Sequence, residues 1–168
     1  MADIIQKIFA QPSWDVMAPL ALLAILFFYG LARGRGRIAA LVIYTYVALA
    51  IFTALPIERI AGFIPSQPVY IVKSAIFLAL FLLLALLLGS KGKKGFAGVG
   101  GWWQTLILSL VEAGFLSFIL IGFLPDERVQ AFIPIVQKIF LTPAYRLPWM
   151  VAPMALVVLL RWWERKGS

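Results

Sequence analysis

Glu112 is the residue of this chain best placed to do chemistry, because it is the one acidic residue deep within a long apolar segment. An ionised carboxylate is costly near the middle of a bilayer, so we expect Glu112 to face protein or water, or to be protonated. The other polar residues that we assign to this possible intramembrane polar site are Ser109, Ser117, Tyr44, Thr45 and Lys73. Two interpretations stay open, a proton or cation site and a protonated glutamic acid hydrogen-bonded across a helix interface.

The small residues near Glu112 have a spacing that is compatible with both interpretations. Ser109, Ala113 and Ser117 recur every four residues, a pattern that favours close contact between helices. Lys73 stands near the start of its own apolar segment. We therefore expect its amine to reach the membrane interface, with pairing to Glu112 as the alternative.

Several kinds of chemistry are excluded by the residues that the chain lacks. It contains no His and no Cys, which removes imidazole bases, thiolate nucleophiles, disulfides and the usual zinc and haem ligands. An intramembrane aspartyl protease needs two acids at depth, and only one is present. The sequence therefore predicts a protein that is not an enzyme and that needs no metal or cofactor.

Composition indicates the elements that must position Glu112. Of the 168 residues, 63% are hydrophobic and only 13% are charged, which is typical of an integral membrane protein. We predict an all-α membrane fold with five transmembrane helices, at residues 14–31, 38–55, 69–88, 102–124 and 147–163. All six Trp residues fall at the ends of these segments, as an aromatic belt requires.

Basic residues predict the orientation of the chain. Six of them cluster at the tips of two helical hairpins and are possible contacts for anionic lipid headgroups: Arg33, Arg35, Arg37, Lys91, Lys93 and Lys94. Arg161, Arg165 and Lys166 fall on the same side. The positive-inside rule then places both tips and the C-terminus in the cytoplasm and the N-terminus outside. Nucleic acid is not expected as a partner, because no aromatic residues are interleaved with the arginines.

An internal repeat predicts the domain organisation. The phrase L-P-I-E-R-I-A-G-F-I-P at residues 55–65 returns as L-P-D-E-R-V-Q-A-F-I-P at 124–134, with seven of eleven positions identical. We expect each copy to form a short interfacial helix on the outer side, with its apolar residues towards the membrane. The single membrane domain then divides into an interfacial helix (1–13), two tandem hairpins in parallel orientation (14–68 and 69–134), and an interfacial segment with the fifth helix (135–168).

The first hairpin resembles the colicin V production protein family. The resemblance rests on Trp14-Asp15, on the G-x-x-R-G-x-x-R spacing from Gly30 to Arg37, and on a second span that ends near Pro56. It implies a small multi-pass protein of the bacterial inner membrane, linked to export or envelope processes, and it carries over no catalytic residues.

Two functions follow as hypotheses. The first is a non-enzymatic inner-membrane component that assists export or envelope organisation, as a homo-oligomer or with other membrane proteins. The second is a small ion channel or proton-coupled transporter that uses Glu112.

Overall fold

The computed structural model describes residues 14–63, 67–89, 102–132 and 134–166. Every element in these ranges is helical. The five long helices are α1 (Trp14–Arg33), α2 (Arg35–Ala54), α4 (Val69–Gly89), α5 (Trp102–Ile121) and α8 (Pro143–Lys166). The three short ones are α3 (Ile57–Gly62), α6 (Asp126–Gln130) and α7 (Pro134–Leu141). The interfacial helix predicted for residues 1–13 lies outside the described residues.

The five long helices are long and apolar enough to cross a membrane. Twenty residues of α-helix, at about 1.5 Å per residue, match the roughly 30 Å of a bilayer's hydrocarbon core. The predicted all-α, multi-pass membrane architecture is therefore confirmed, and the first four predicted spans agree with α1, α2, α4 and α5 to within a few residues.

The fifth span differs from its prediction. Helix α8 begins at Pro143 rather than Leu147 and has 24 residues, although it contains Pro148 and Pro153. Proline suits the first turn of a helix, where its missing N–H would have no partner. Residues 143–146 thus form the first turn of α8, and hydropathy alone missed them because Tyr145 and Arg146 interrupt the apolar pattern.

Helices α2 and α5 form the centre of the bundle. In α5 56% of the spanning segment is buried, against 39% in α2 and 11% in α1. Helix α1 packs mainly against α5, whereas α4 packs mainly against α2 and α8 mainly against α5. The largest fully buried apolar side chains include Phe77, Phe115, Ile38, Leu108 and Leu116.

A tight turn joins α1 to α2. Gly34 has a φ of 89°, which only glycine adopts without strain, and its N–H donates to Gly30 O at 2.7 Å. Gly30 itself allows close packing, since a Cβ there would lie 2.6 Å from the Thr105 side chain of α5. Because of this turn, α1 and α2 form an antiparallel hairpin, and its end of the bundle is called here the basic side.

The two copies of the repeated phrase each form a short helix at the opposite end, called here the short-helix side. Helix α3 follows Pro56 and α6 follows Pro125. Ile57 packs into the main core, while Val129 joins a smaller cluster with Val136 of α7. Phe63, by contrast, is 86% exposed. Some apolar residues of the phrase are therefore buried inside the protein, and Phe63 is not. Ile64 and Ile133 lie outside the described residues.

Candidate intramembrane polar site

Glu112 and Thr45 stand at matching depths in the two central helices. Each is the eleventh residue of its helix, and each helix has 20 residues. Because α2 and α5 pack against each other, the two side chains meet, and both have no exposed surface.

A hydrogen bond joins these two side chains. Thr45 Oγ1 lies 2.5 Å from Glu112 Oε1. The same hydroxyl oxygen lies 3.1 Å from the Leu41 carbonyl oxygen, one turn earlier in α2. A hydroxyl group has one proton, so Thr45 donates to only one of these two oxygens at a time.

Two polar atoms beside this bond have no partner. Glu112 Oε2 and Ser109 Oγ are both buried and make no hydrogen bond. The two residues are three apart in α5 and so share a face of that helix. An unsatisfied buried polar atom costs about 1–3 kcal/mol, which makes these two atoms the places where a proton, a water or a cation would be held.

Of the remaining predicted site residues, Tyr44 and Ser117 lie on the same two helices as this pair, whereas Lys73 lies on α4. Ser117 is 5% exposed, on the same helix as Glu112, and Tyr44 is half-buried against the core. Lys73 is elsewhere. It lines a cavity of about 430 Å³ on the short-helix side, together with Glu58 and Arg59. Lys73 is the fifth residue of α4, near the end of that helix on the short-helix side, whereas Glu112 is at the middle of α5.

The predicted lipid contacts are described only in part. Arg33 is exposed beside the Gly34 turn, and Arg37 is half-buried after it. The backbone of Arg35 belongs to the first turn of α2. Lys91, Lys93 and Lys94 lie outside the described residues. Within the described ranges, no group of three or more acidic residues could hold a metal ion.

A second polar contact ties α2 to α8. The Tyr46 hydroxyl donates to the Met150 carbonyl oxygen, and the Tyr46 ring packs on Phe115 with ring centroids 4.7 Å apart. The sequence did not predict this contact, because the acceptor is a backbone carbonyl that no side-chain pattern reveals.

Sequence reasoning also missed the contact between Gly114 and Trp149. A Cβ on Gly114 would lie 2.3 Å from the Trp149 ring, so this glycine admits the indole to the surface of α5. The available signal was a glycine in the middle of an apolar helix, a position that often marks close approach.

Comparison with known proteins identifies no relative of this chain: no family model, no curated protein and no solved structure matches it. The resemblance to the colicin V production proteins therefore stays a prediction.

Proposed function

We propose that this protein is a non-enzymatic component of a bacterial inner membrane that assists export or envelope organisation. The observation that carries the structural part of this proposal is the enclosure of Glu112, whose side chain has no exposed surface and contacts Thr45 of the other central helix. Glu112 thereby joins α5 to α2 through a hydrogen bond. The link to export and the bacterial envelope comes from the resemblance in the first hairpin.

The hydrogen-bond geometry fits a neutral Glu112 that joins the two helices. If Thr45 donates to Leu41 O, a neutral Glu112 carboxyl supplies the proton for its own contact with Thr45. A neutral carboxyl also avoids the cost of an ionised group in a low-dielectric interior. Hydrogen bonds between membrane helices contribute about 0.6 kcal/mol on average, enough to favour one helix register over another.

Exposed apolar faces on α1 and α4 are accessible to lipid and to other membrane helices, and the proposal assigns them to self-association. Helix α1 presents Ile25 and Phe28, and helix α4 presents Leu86, each more than 60% exposed. Because the chain has no cysteine, single-cysteine variants report contacts without background. We expect oxidation of Phe28→Cys or Leu86→Cys in membranes to give disulfide-linked dimers, with the buried Leu116→Cys as the negative control. Monomers at every exposed position of α1, α4 and α8 would contradict self-association.

A second function is favoured by the unpartnered atoms of the site. Glu112 Oε2 and Ser109 Oγ are available to hold a transported proton or cation. This supports a small ion channel or proton-coupled transporter in which Glu112 carries the proton.

Flux measurements separate the two functions. We expect proteoliposomes loaded with a pH-sensitive dye to leak protons at the rate of empty liposomes. With a K⁺-sensitive dye, the leak of K⁺ should also match that of empty liposomes. Glu112→Gln should leave these rates unchanged, as should the control Ser74→Ala, which removes a hydroxyl from α4. Protein-dependent flux that Glu112→Gln abolishes and Ser74→Ala retains would establish the transporter instead.

The proposed orientation is tested by thiol labelling in bacterial cells that express the chain. We expect a membrane-impermeant maleimide to label Arg59→Cys and Gln130→Cys in intact cells. Arg33→Cys and Lys94→Cys should react only after the membrane is permeabilised. The opposite pattern would invert the topology, and labelling of Arg33→Cys and Lys94→Cys from different sides would overturn the two parallel hairpins.

A further inference from the structure

An apolar groove opens on the short-helix side between three helices. It has a volume of about 390 Å³ and is walled by α5, α7 and α8. Its lining residues, apolar apart from one cation and one phenol, are Val111, Ile139, Pro148, Trp149, Ala152, Lys138 and Tyr145.

The groove reaches half-way across the bundle. Val111, at its deep end, is ten residues before Ile121, where α5 ends on the short-helix side. Ten residues of helix correspond to about 15 Å, which is half of a 30 Å hydrocarbon core. The deep end of the groove therefore lies about as far into the bundle as the acyl chains of one leaflet extend.

Trp149 makes one wall of the groove rigid. Its ring stacks on Phe140, with centroids 5.2 Å apart and planes 15° from parallel, and its Nε1 donates to Ile139 O at 2.9 Å. Gly114 admits the far edge of the same ring against α5. A wall held from three directions keeps the groove open instead of letting the side chain fall into it.

Lys138 stands where the groove meets a second, more polar cavity. This cavity has a volume of about 490 Å³ and includes Gln130, Gln137 and Thr142 besides Lys138. Gln137 Nε2 donates to Gln130 O and Phe132 O, and Thr142 Oγ1 donates to Lys138 O. The Gln137 amide nitrogen and the Thr142 hydroxyl thus donate to the backbone, and Lys138 is the cationic side chain that lines both cavities.

We infer that the groove and the adjoining cavity bind one anionic phospholipid of the leaflet on the short-helix side. An acyl chain occupies the groove from Tyr145 down to Val111, and the headgroup phosphate contacts Lys138. The apolar lining matches a hydrocarbon chain, and the single cation at its mouth matches one negative charge. A zwitterionic lipid has its own cation beside the phosphate and gains less from Lys138.

The first experiment uses the unmodified protein and lipids brominated on the acyl chain, which quench tryptophan fluorescence on contact. The protein is reconstituted in phosphatidylcholine and titrated with brominated phosphatidylglycerol. We expect saturable quenching that unlabelled phosphatidylglycerol reverses and that phosphatidylcholine or inorganic phosphate does not. Trp149→Phe should remove the saturable part, whereas Trp102→Phe should keep it.

The second experiment compares two lysines on the same side of the bundle. We expect Lys138→Gln to weaken phosphatidylglycerol binding about fivefold, the factor expected for loss of one cationic contact near an anionic headgroup. Lys73→Gln changes the lysine of the separate cavity that Glu58 and Arg59 line, and it should leave phosphatidylglycerol binding unchanged. Ala152→Phe should abolish saturable quenching by filling the groove, with the exposed Val158→Phe on the same helix as its control.

Three results would overturn the inference. One is equal binding of phosphatidylglycerol and phosphatidylcholine by the unmodified protein. Another is equal loss from Lys73→Gln and Lys138→Gln, and the third is full binding by Ala152→Phe. The titration of the unmodified protein decides the matter even where a variant fails to fold.

Discussion

Helices α2 and α5 precede the two copies of the repeated phrase, and a constant offset of 69 residues aligns them. At this offset Glu112 corresponds to Ile43, and Gly114 corresponds to Thr45. The two aligned positions have different surroundings, because Ile43 is 45% exposed whereas Glu112 is fully buried.

The difference between the two helices comes from their neighbours. Helix α8 packs mainly on α5, so α5 is enclosed on more of its circumference than α2. The polar pair is consequently built across the repeat, from Glu112, whose aligned residue in α2 is Ile43, and Thr45, whose aligned residue in α5 is Gly114. Tyr46 and Phe115, which the offset also aligns, touch each other near the same level.

Filling the position of α5 that receives Trp149 of α8 should have the largest effect on stability. Gly114→Val places a branched side chain where a Cβ alone would lie 2.3 Å from the Trp149 ring. We expect the free energy of unfolding to fall by about 3 kcal/mol, because packing that tight cannot relax without moving α8. Unfolding of the purified protein in mixed micelles, followed by circular dichroism, measures the change. Gly62→Val is the control, since no atom lies within 4 Å of a Cβ there, and an equal loss from both would contradict the packing argument.

Glu112 and the aligned Ile43 should respond differently to truncation, because only Glu112 is fully buried. We expect Glu112→Ala to lower the free energy of unfolding by about 2 kcal/mol, because it leaves a cavity between α2 and α5. Glu112→Gln, which keeps the shape and a neutral hydrogen bond to Thr45, should lower it by less than about 1 kcal/mol. The same titration measures both, and the half-exposed Ile43→Ala serves as the aligned control. A Gln variant as unstable as the Ala variant would show that the site requires an ionised carboxylate.

Tyr46 of α2 and the aligned Phe115 of α5 differ by one hydroxyl group. Tyr46→Phe removes the bond to Met150 O and keeps the ring contact. We expect a loss of about 0.6 kcal/mol, the average for such bonds between membrane helices, measured as above. Because this bond joins α2 to α8, the variant should also increase the proteolytic sensitivity of α8. Unchanged stability and unchanged proteolysis would remove Tyr46 from the contacts that hold α8.

Substitutions in the two copies of the repeated phrase should have the smallest effects on the free energy of unfolding. Arg128 lies over the Tyr70 ring of α4, 5.1 Å from its centroid, whereas the aligned Arg59 lines a cavity with Lys73. We expect Arg128→Gln to lower the free energy of unfolding by about 0.5 kcal/mol, as an exposed cation–π contact does. Arg59→Gln should change it by less, and Tyr70→Leu should reproduce the Arg128 effect. Equal effects of the two arginines would mean that the ring contact contributes nothing.

Much of this molecule could be predicted from the sequence alone. The apolar composition and the bilayer thickness fix five spans, since a helix of about 20 apolar residues has few other stable environments. The ends of α1, α2, α4 and α5 follow from Trp, Pro and Gly residues that stop or anchor a helix. Glu112 is recognisable for the same reason, because an acid in such a segment must be protected.

The pairing of side chains between helices is visible only in the folded bundle. Hydropathy indicates that a face is buried but not which helix covers it, so it could group Glu112 with Thr45 by depth without showing that the two side chains are hydrogen-bonded. It also could not show that Gly114 receives Trp149, or that Lys138 joins a groove to a cavity. These contacts depend on the order in which five similar apolar helices pack, and that order is set by shape complementarity summed over the whole bundle, which no local pattern of residues encodes.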